Sequence, residues 1–124
     1  MSRITVDVRS RVPLFLQIVA AVRDLVIRGI LKPDEALPSV RALASELAIN
    51  PNTIQKAYAE LERQGVIYSL SGRGNFVASD VSHIASANRS ELLEKLRADV
   101  AAAKKAGISD EEIFEILKGG STND

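Results

Sequence analysis

Asn50, Asn52, Thr53, Gln55 and Lys56 stand within seven consecutive residues. Their chemistry suits the edge of a base pair. An asparagine or glutamine amide pairs bidentately with adenine, a lysine reaches guanine or phosphate, and a small methyl such as that of Ala59 touches the methyl of thymine. Arg41 follows Ser39 and Val40 at what reads as a helix start, where free backbone N–H groups and a guanidinium together favour a phosphate oxygen. The alternative there is a solvated arginine, or one paired with Glu46. Arg73 lies between Gly72 and Gly74. From a loop tip it can enter a minor groove or reach the flanking phosphates, where narrow width concentrates negative potential. The alternative there is a solubilising charge at a hairpin tip.

Other chemistries find no support. His83 is the only histidine and cysteine is absent. A metal site would need Asp80 and distant carboxylates, so a solvated or structural histidine is expected and no metal site is assigned. No Ser/His/Asp order, phosphate loop or paired-acid motif occurs, which leaves no catalytic residue, no cofactor and no expectation of an enzyme. Tyr58 and Phe76 occupy apolar positions of their segments and read as core rather than as base-stacking groups.

These side chains need elements to hold them. Ile4, Val6 and Val8 alternate with Arg3, Thr5, Asp7 and Arg9, which predicts a short strand. After Pro13, Leu14, Ile18, Ala21, Val22 and Leu25 recur at helical spacing up to Gly29. Ile30 to Pro38, with two prolines, reads as a loop leading to Ser39, an N-cap for a helix from about Val40 to Ala48. Asn50-Pro51 then starts a third helix, because asparagine caps with its side-chain oxygen and proline suits the first helical position. Its buried stripe is Ile54, Ala57, Tyr58 and Leu61, and it stops at Gly65. The opposite face carries Asn52, Gln55, Lys56, Ala59 and Arg63, with Arg63 farthest from the N-terminal end that such helices use for reading. Two apolar runs, Val66 to Leu70 and Asn75 to Ala78, flank Ser71-Gly72-Arg73-Gly74 and predict a β-hairpin with an arginine near its tip.

Residues 79–90 are small and polar, consistent with either a linker or a helix start. Leu92, Leu93, Leu96, Val100 and Ala103 then mark an amphipathic helix ending near Gly107. Ser109 with Glu112 three residues on forms a capping box before Ile113, Phe114, Ile116 and Leu117. Residues from Gly119 to Asp124 are expected to fray.

Composition sets the outer bounds. At 46% hydrophobic and 26% charged residues with four prolines, the 124-residue chain can bury a core and has room for one binding-sized domain with a short appendage. The absence of cysteine suits a reducing, cytoplasmic setting, and neither a signal peptide nor a membrane span is recognisable. Formal net charge is zero. The charge is nonetheless uneven: residues 1–79 carry a net +3 and residues 80–124 a net −3, a weak lean towards a polyanion at the N-terminal end.

The run Leu37-Pro38-Ser39-Val40-Arg41-Ala42-Leu43-Ala44, then Asn50-Pro51-Asn52-Thr53, Ala57-Tyr58, Leu61-Glu62, Gly65 and Gly72-Arg73-Gly74-Asn75-Phe76-Val77, resembles the GntR family of regulators. The resemblance covers about residues 10–78, and the Asn-Pro-Asn-Thr run with a short helical tail is similar to the YtrA-type subfamily. It implies a homodimeric transcription regulator, usually a repressor, binding double-stranded operator DNA. It also implies that Arg41 clamps the DNA backbone, with Thr53 and Asn50 adding hydroxyl and amide contacts. One departure is Ala42, where family members often carry an acidic residue, so the reciprocal half of a capping box at Ser39 is missing.

The expected fold is therefore mainly α with a small β-hairpin. A winged helix-turn-helix DNA-binding domain spans 1–79 and a C-terminal two-helix dimerisation segment spans 80–124. Leu92, Leu93, Leu96, Val100, Ile113, Phe114 and Leu117 offer more apolar surface than one helical hairpin hides, which calls for a partner subunit. Two such helices cannot enclose a ligand cavity of about 300–1,000 Å³ by themselves, so a small-molecule effector has no identifiable residues, though one at the dimer interface stays open. A protein-interaction module is the rival reading, since winged helices also serve as docking domains. It would need an apolar recognition face, and this one is polar.

Overall fold

The computed structural model describes residues 3–119; the segment 120–124, expected to fray, lies outside the described residues. Helix α1 spans Leu14–Ile27, α2 Val40–Leu47 and α3 Pro51–Arg63. Strands β1 (Ile67–Leu70) and β2 (Gly74–Val77) follow, then α4 (Ser82–Lys105) and α5 (Asp110–Leu117). Contacts divide the chain into two compact units, one up to Ala85 and one from Ser86.

The first unit is built around the apolar stripes of α1, α2 and α3. Ile18, Val22, Leu43, Ile54 and Leu61 are fully excluded from solvent, and Val66, Ile67 and Val77 close the core from the hairpin side. Helix α1 packs on α3, and α3 on both α2 and β1. In the hairpin Ile67 stands opposite Val77 and Leu70 opposite Gly74, and the rings of Tyr68 and Phe76 stack at 5.6 Å. Phe76 is half-buried, against the hairpin rather than in the helical core.

Two expectations from sequence need correction. Residues 4–8 form no strand. Ile4 is buried, but the chain then turns away and Val8 is 74% exposed. A strand needs a neighbouring edge for its N–H and C=O groups, and the free edge of β2 is taken by a different segment. That segment lies in the stretch read as loop. Asp34 N–H donates to Val77 O (2.9 Å), Val77 N–H to Glu35 O (2.9 Å) and Leu37 N–H to Asn75 O (2.8 Å), with an isolated bridge between Ala36 and Phe76. Asp34, at φ 65°, fastens this third ribbon: its carboxylate accepts from Tyr68 Oη at 2.8 Å and Ser79 Oγ at 2.6 Å.

The undecided stretch before Leu92 resolves in favour of helix, for α4 already starts at Ser82. Its first turn belongs to the first unit, where Ile84 is buried. His83 beside it is exposed. Gly65 has φ +77°, with His83 Nε2 3.2 Å from where a Cβ would stand, and the backbone conformation holds that position to glycine.

In the second unit α4 continues to Lys105, and the chain turns through Gly107 into α5. Ser109 caps α5 by accepting from Glu112 N–H at 3.1 Å, as its capping-box spacing predicts. Acidic residues fill the first turn, where they suit the positive end of the helix. No described residue of α5 is buried.

Candidate nucleic-acid interface

Helix α3 has one side locked and one side open. Asn50 caps it, its Oδ1 accepting from Asn52 N–H at 2.8 Å, and Pro51 takes the first helical position. Ile54, Ala57, Tyr58 and Leu61 are all buried on the locked side. Tyr58 adds a tether: its hydroxyl donates to Pro38 O at 2.7 Å, tying α3 to the residue before the α2 cap. Burial pushes the Tyr58 phenol well above its ordinary range, so it stays a neutral donor. The orientation of α3 relative to α2 is thus set by packing and by one part-buried hydrogen bond.

The open side carries the residues singled out from sequence. Asn52, Gln55, Lys56 and Ala59 are exposed and Thr53 is half-buried. The Asn52 and Gln55 amides make no side-chain hydrogen bond among the described residues, leaving donors and acceptors available to an outside partner. Lys56 has an internal neighbour that sequence reading missed: its Nζ lies 4.1 Å from the centroid of the Phe15 ring on α1. Such a cation–π contact restrains the ammonium without neutralising it. A lysine and an aromatic 41 residues apart carry no local signal of meeting.

At α2, Ser39 Oγ accepts from Ala42 N–H at 3.0 Å. The cap therefore forms without an acidic residue at position 42. Arg41 is exposed in the first turn and pairs with neither Glu46 nor any other described residue. Of the two structural alternatives for it, the ion pair is not formed. Arg63, by contrast, is committed within its own helix to Glu60. The Arg63 guanidinium, and next the Gln64 amide, hold the Glu60 carboxyl down at about 2, so Arg63 presents a paired charge.

In the hairpin tip Arg73 N–H donates to Leu70 O at 2.9 Å, and Gly72 and Gly74 adopt φ 76° and 113°. Both values lie where side chains are strained. Arg73 is exposed, with no side-chain partner among the described residues. Asn50 is likewise exposed; its oxygen is used by the cap, which leaves its amide nitrogen for a contact. Among the described residues no cluster of three or more His, Cys, Asp or Glu is placed to hold a metal ion, and no helix is long and apolar enough to cross a membrane.

A helix pair with a short turn, an exposed polar second helix and a β-hairpin behind it define a winged helix-turn-helix protein. Residues 14–77 match the family model described as bacterial regulatory proteins, gntR family, and the chain belongs to that family. It is 37% identical over 129 residues to the HTH-type transcriptional repressor YtrA of Bacillus subtilis, covering 98% of this chain and 99% of that one. A crystal structure of a transcriptional regulator from Oenococcus oeni is similar with a TM-score of 0.74 at 34% identity, covering 91% of this chain and 94% of that one. The DNA-binding domain of AraR in complex with operator ORE1 is similar over 63% of this chain and 95% of that one, with a TM-score of 0.53 at 27% identity. These relatives are transcription regulators and not enzymes, and YtrA-type kinship extends over nearly the whole chain.

Proposed function

We propose that the chain is a repressor that binds a palindromic operator as a homodimer. Residues 1–79 would form the DNA-binding domain and 80–124 the dimerisation segment, and the setting is the cytoplasm. Helix α3 lies in the major groove, with Asn52, Thr53, Gln55 and Lys56 nearest the bases. Arg41, with Asn50 and the Thr53 hydroxyl, holds phosphates, and Gly72-Arg73 meets the adjoining minor groove or its backbone. The observation that carries this reading is the division of α3 into a fully buried apolar stripe and an exposed face of uncommitted amides. The operator-bound AraR domain and the repressor YtrA, as similar proteins, support it.

Dimerisation is supported by the second unit. Leu92, Leu96, Phe114, Ile116 and Leu117 are each 47–68% exposed, Leu93 is partly so, and Val100 and Ile113 are only half-buried. Leu96, Val100, Ala103, Ile113, Ile116 and Leu117 line one apolar groove, a surface that a second copy would cover.

Selection from a random duplex library tests the whole reading. Enriched fragments are expected to hold an inverted repeat with half-sites about one or two turns of roughly 10 bp apart. Absence of enrichment, with no duplex binding even at low ionic strength, overturns it. On the selected duplex, Arg41→Ala is expected to weaken binding to every sequence and to lower the salt slope by about 1 per protomer. Gln55→Ala should instead relax base preference at one position, worth about 1–3 kcal/mol. Equal losses and equal slopes for the two variants would remove the division of labour between them.

A further inference from the structure

Past Ile4 and Val6, which pack on the core, the turn ahead of α1 is ordered by polar contacts. The Gln17 side chain stitches it to the helix: its Oε1 accepts from Asp7 N–H at 2.7 Å, and its Nε2 donates to Asp7 O at 3.0 Å and Val12 O at 2.8 Å. Arg9 N–H donates to Asp7 Oδ1 at 3.0 Å and Val12 N–H to Ser10 Oγ at 3.1 Å, while Ser10 N–H reaches Asp7 O at 3.1 Å. Residues 7–12 are thus a stapled turn. Fixing backbone costs about 1–2 kcal/mol per residue, and apolar burial does little to offset it here, since Val8 is 74% and Val12 49% exposed.

What the turn displays is positive charge. Arg9 and Arg11 are exposed, and neither side chain has a hydrogen bond or ion pair among the described residues. The carboxylate within the turn, Asp7, is engaged by the turn's own backbone. The turn leads directly into Pro13, Leu14 and Phe15, which line a single cleft together with Asn52, Thr53 and Lys56 of α3. Arg11 thus stands two residues, and Arg9 four, before the residue at which the chain joins that cleft with the first turn of the helix assigned to the major groove.

We propose that the 7–12 turn is a second phosphate grip, with Arg9 and Arg11 holding the sugar-phosphate backbone next to the bases faced by α3. This rests on the operator reading above and lengthens the contact beyond Arg41 and the wing. A guanidinium matches a phosphate in geometry as well as charge, and a pinned turn presents it with less ordering left to do on binding. The grip reads no sequence; it adds affinity and salt dependence.

The test uses the full chain, the duplex selected by it and an unrelated duplex of equal length, with anisotropy titrations over a range of potassium chloride. Each phosphate contact contributes about 0.9 to the slope of log K against log salt, so Arg9→Ala with Arg11→Ala should lower the slope by about 1.8 per protomer. Affinity should fall roughly tenfold or more on both duplexes, leaving the ratio between them and the melting temperature unchanged. Arg9→Lys with Arg11→Lys, which keeps the charges, is expected to retain most of the slope. If the unaltered chain binds its duplex and the double alanine variant shows the same slope and affinity, the grip is overturned and the operator reading stands. A chain that binds no duplex removes both.

Discussion

The two units of this chain satisfy their apolar residues in different ways. In the first, residues far apart in sequence close one core, and large side chains such as Ile18, Leu43, Ile54 and Leu61 reach 0% exposure. In the second, the C-terminal part of α4 and the whole of α5 bury nothing fully, and Phe114, Ile116 and Leu117 stay 60–68% exposed. The first unit closes a core of its own. The second leaves its apolar stripe exposed, and the lesson is that helical periodicity alone does not tell a stripe that is buried from one that stays open.

The largest expected effect comes from attacking the tail. Leu96→Glu with Phe114→Glu removes two apolar side chains per subunit, each worth about 1.5–3 kcal/mol when covered. The dissociation constant of the proposed dimer should rise on the order of a thousandfold or more. Sedimentation velocity would show monomers at micromolar concentration. A double variant that sediments as the parent does would end the comparison by showing that this surface is covered by nothing.

Next in size is the core. Leu61→Ala leaves a cavity under α3 and should cost about 3 kcal/mol of stability, read by urea unfolding. Because Leu61 is wholly buried in the first unit, the sedimentation of the folded protein should not change. A loss below about 1 kcal/mol would mean that the first unit is looser than its burial implies.

The smallest effect concerns the ribbon at Asp34. Its carboxyl is held below the ordinary value of 3.8 by the Ser79 hydroxyl and next the Tyr68 hydroxyl. A depressed folded value means stability that is present above the unfolded pKa and lost as the pH falls through the folded one. Asp34→Asn keeps a carbonyl acceptor and tolerates the left-handed backbone, so it removes the charge and little else. Melting temperatures measured from about pH 6 down to about pH 3 should fall less steeply for this variant than for the parent. Parallel curves would show that the clamp does not depend on the carboxylate.

Helix positions other than the start of α4, the Ser39, Asn50 and Ser109 caps, the hairpin and the amide-bearing face of α3 were all readable from local spacing, because each follows from a repeat or a dipeptide that acts within a few residues. The cap at Ser39 even forms without its acidic partner, since one serine oxygen and one N–H suffice. What failed was the strand at residues 4–8: three alternating apolar residues state a preference and name no partner edge. The pairing of residues 34–37 with β2, the Gln17 staple, the Lys56–Phe15 contact and the Asp34 clamp had no local signature, and all four join segments that only folding brings together.

By itself the order of residues determined which segments become helices, where all but α4 start, and which side of each is greasy. Only the folded chain decided which greasy side becomes core, which edge completes the sheet and which charges are left without a partner. The reason is that secondary structure is written in neighbours, whereas burial, strand pairing and charge pairing depend on what the rest of the chain places opposite.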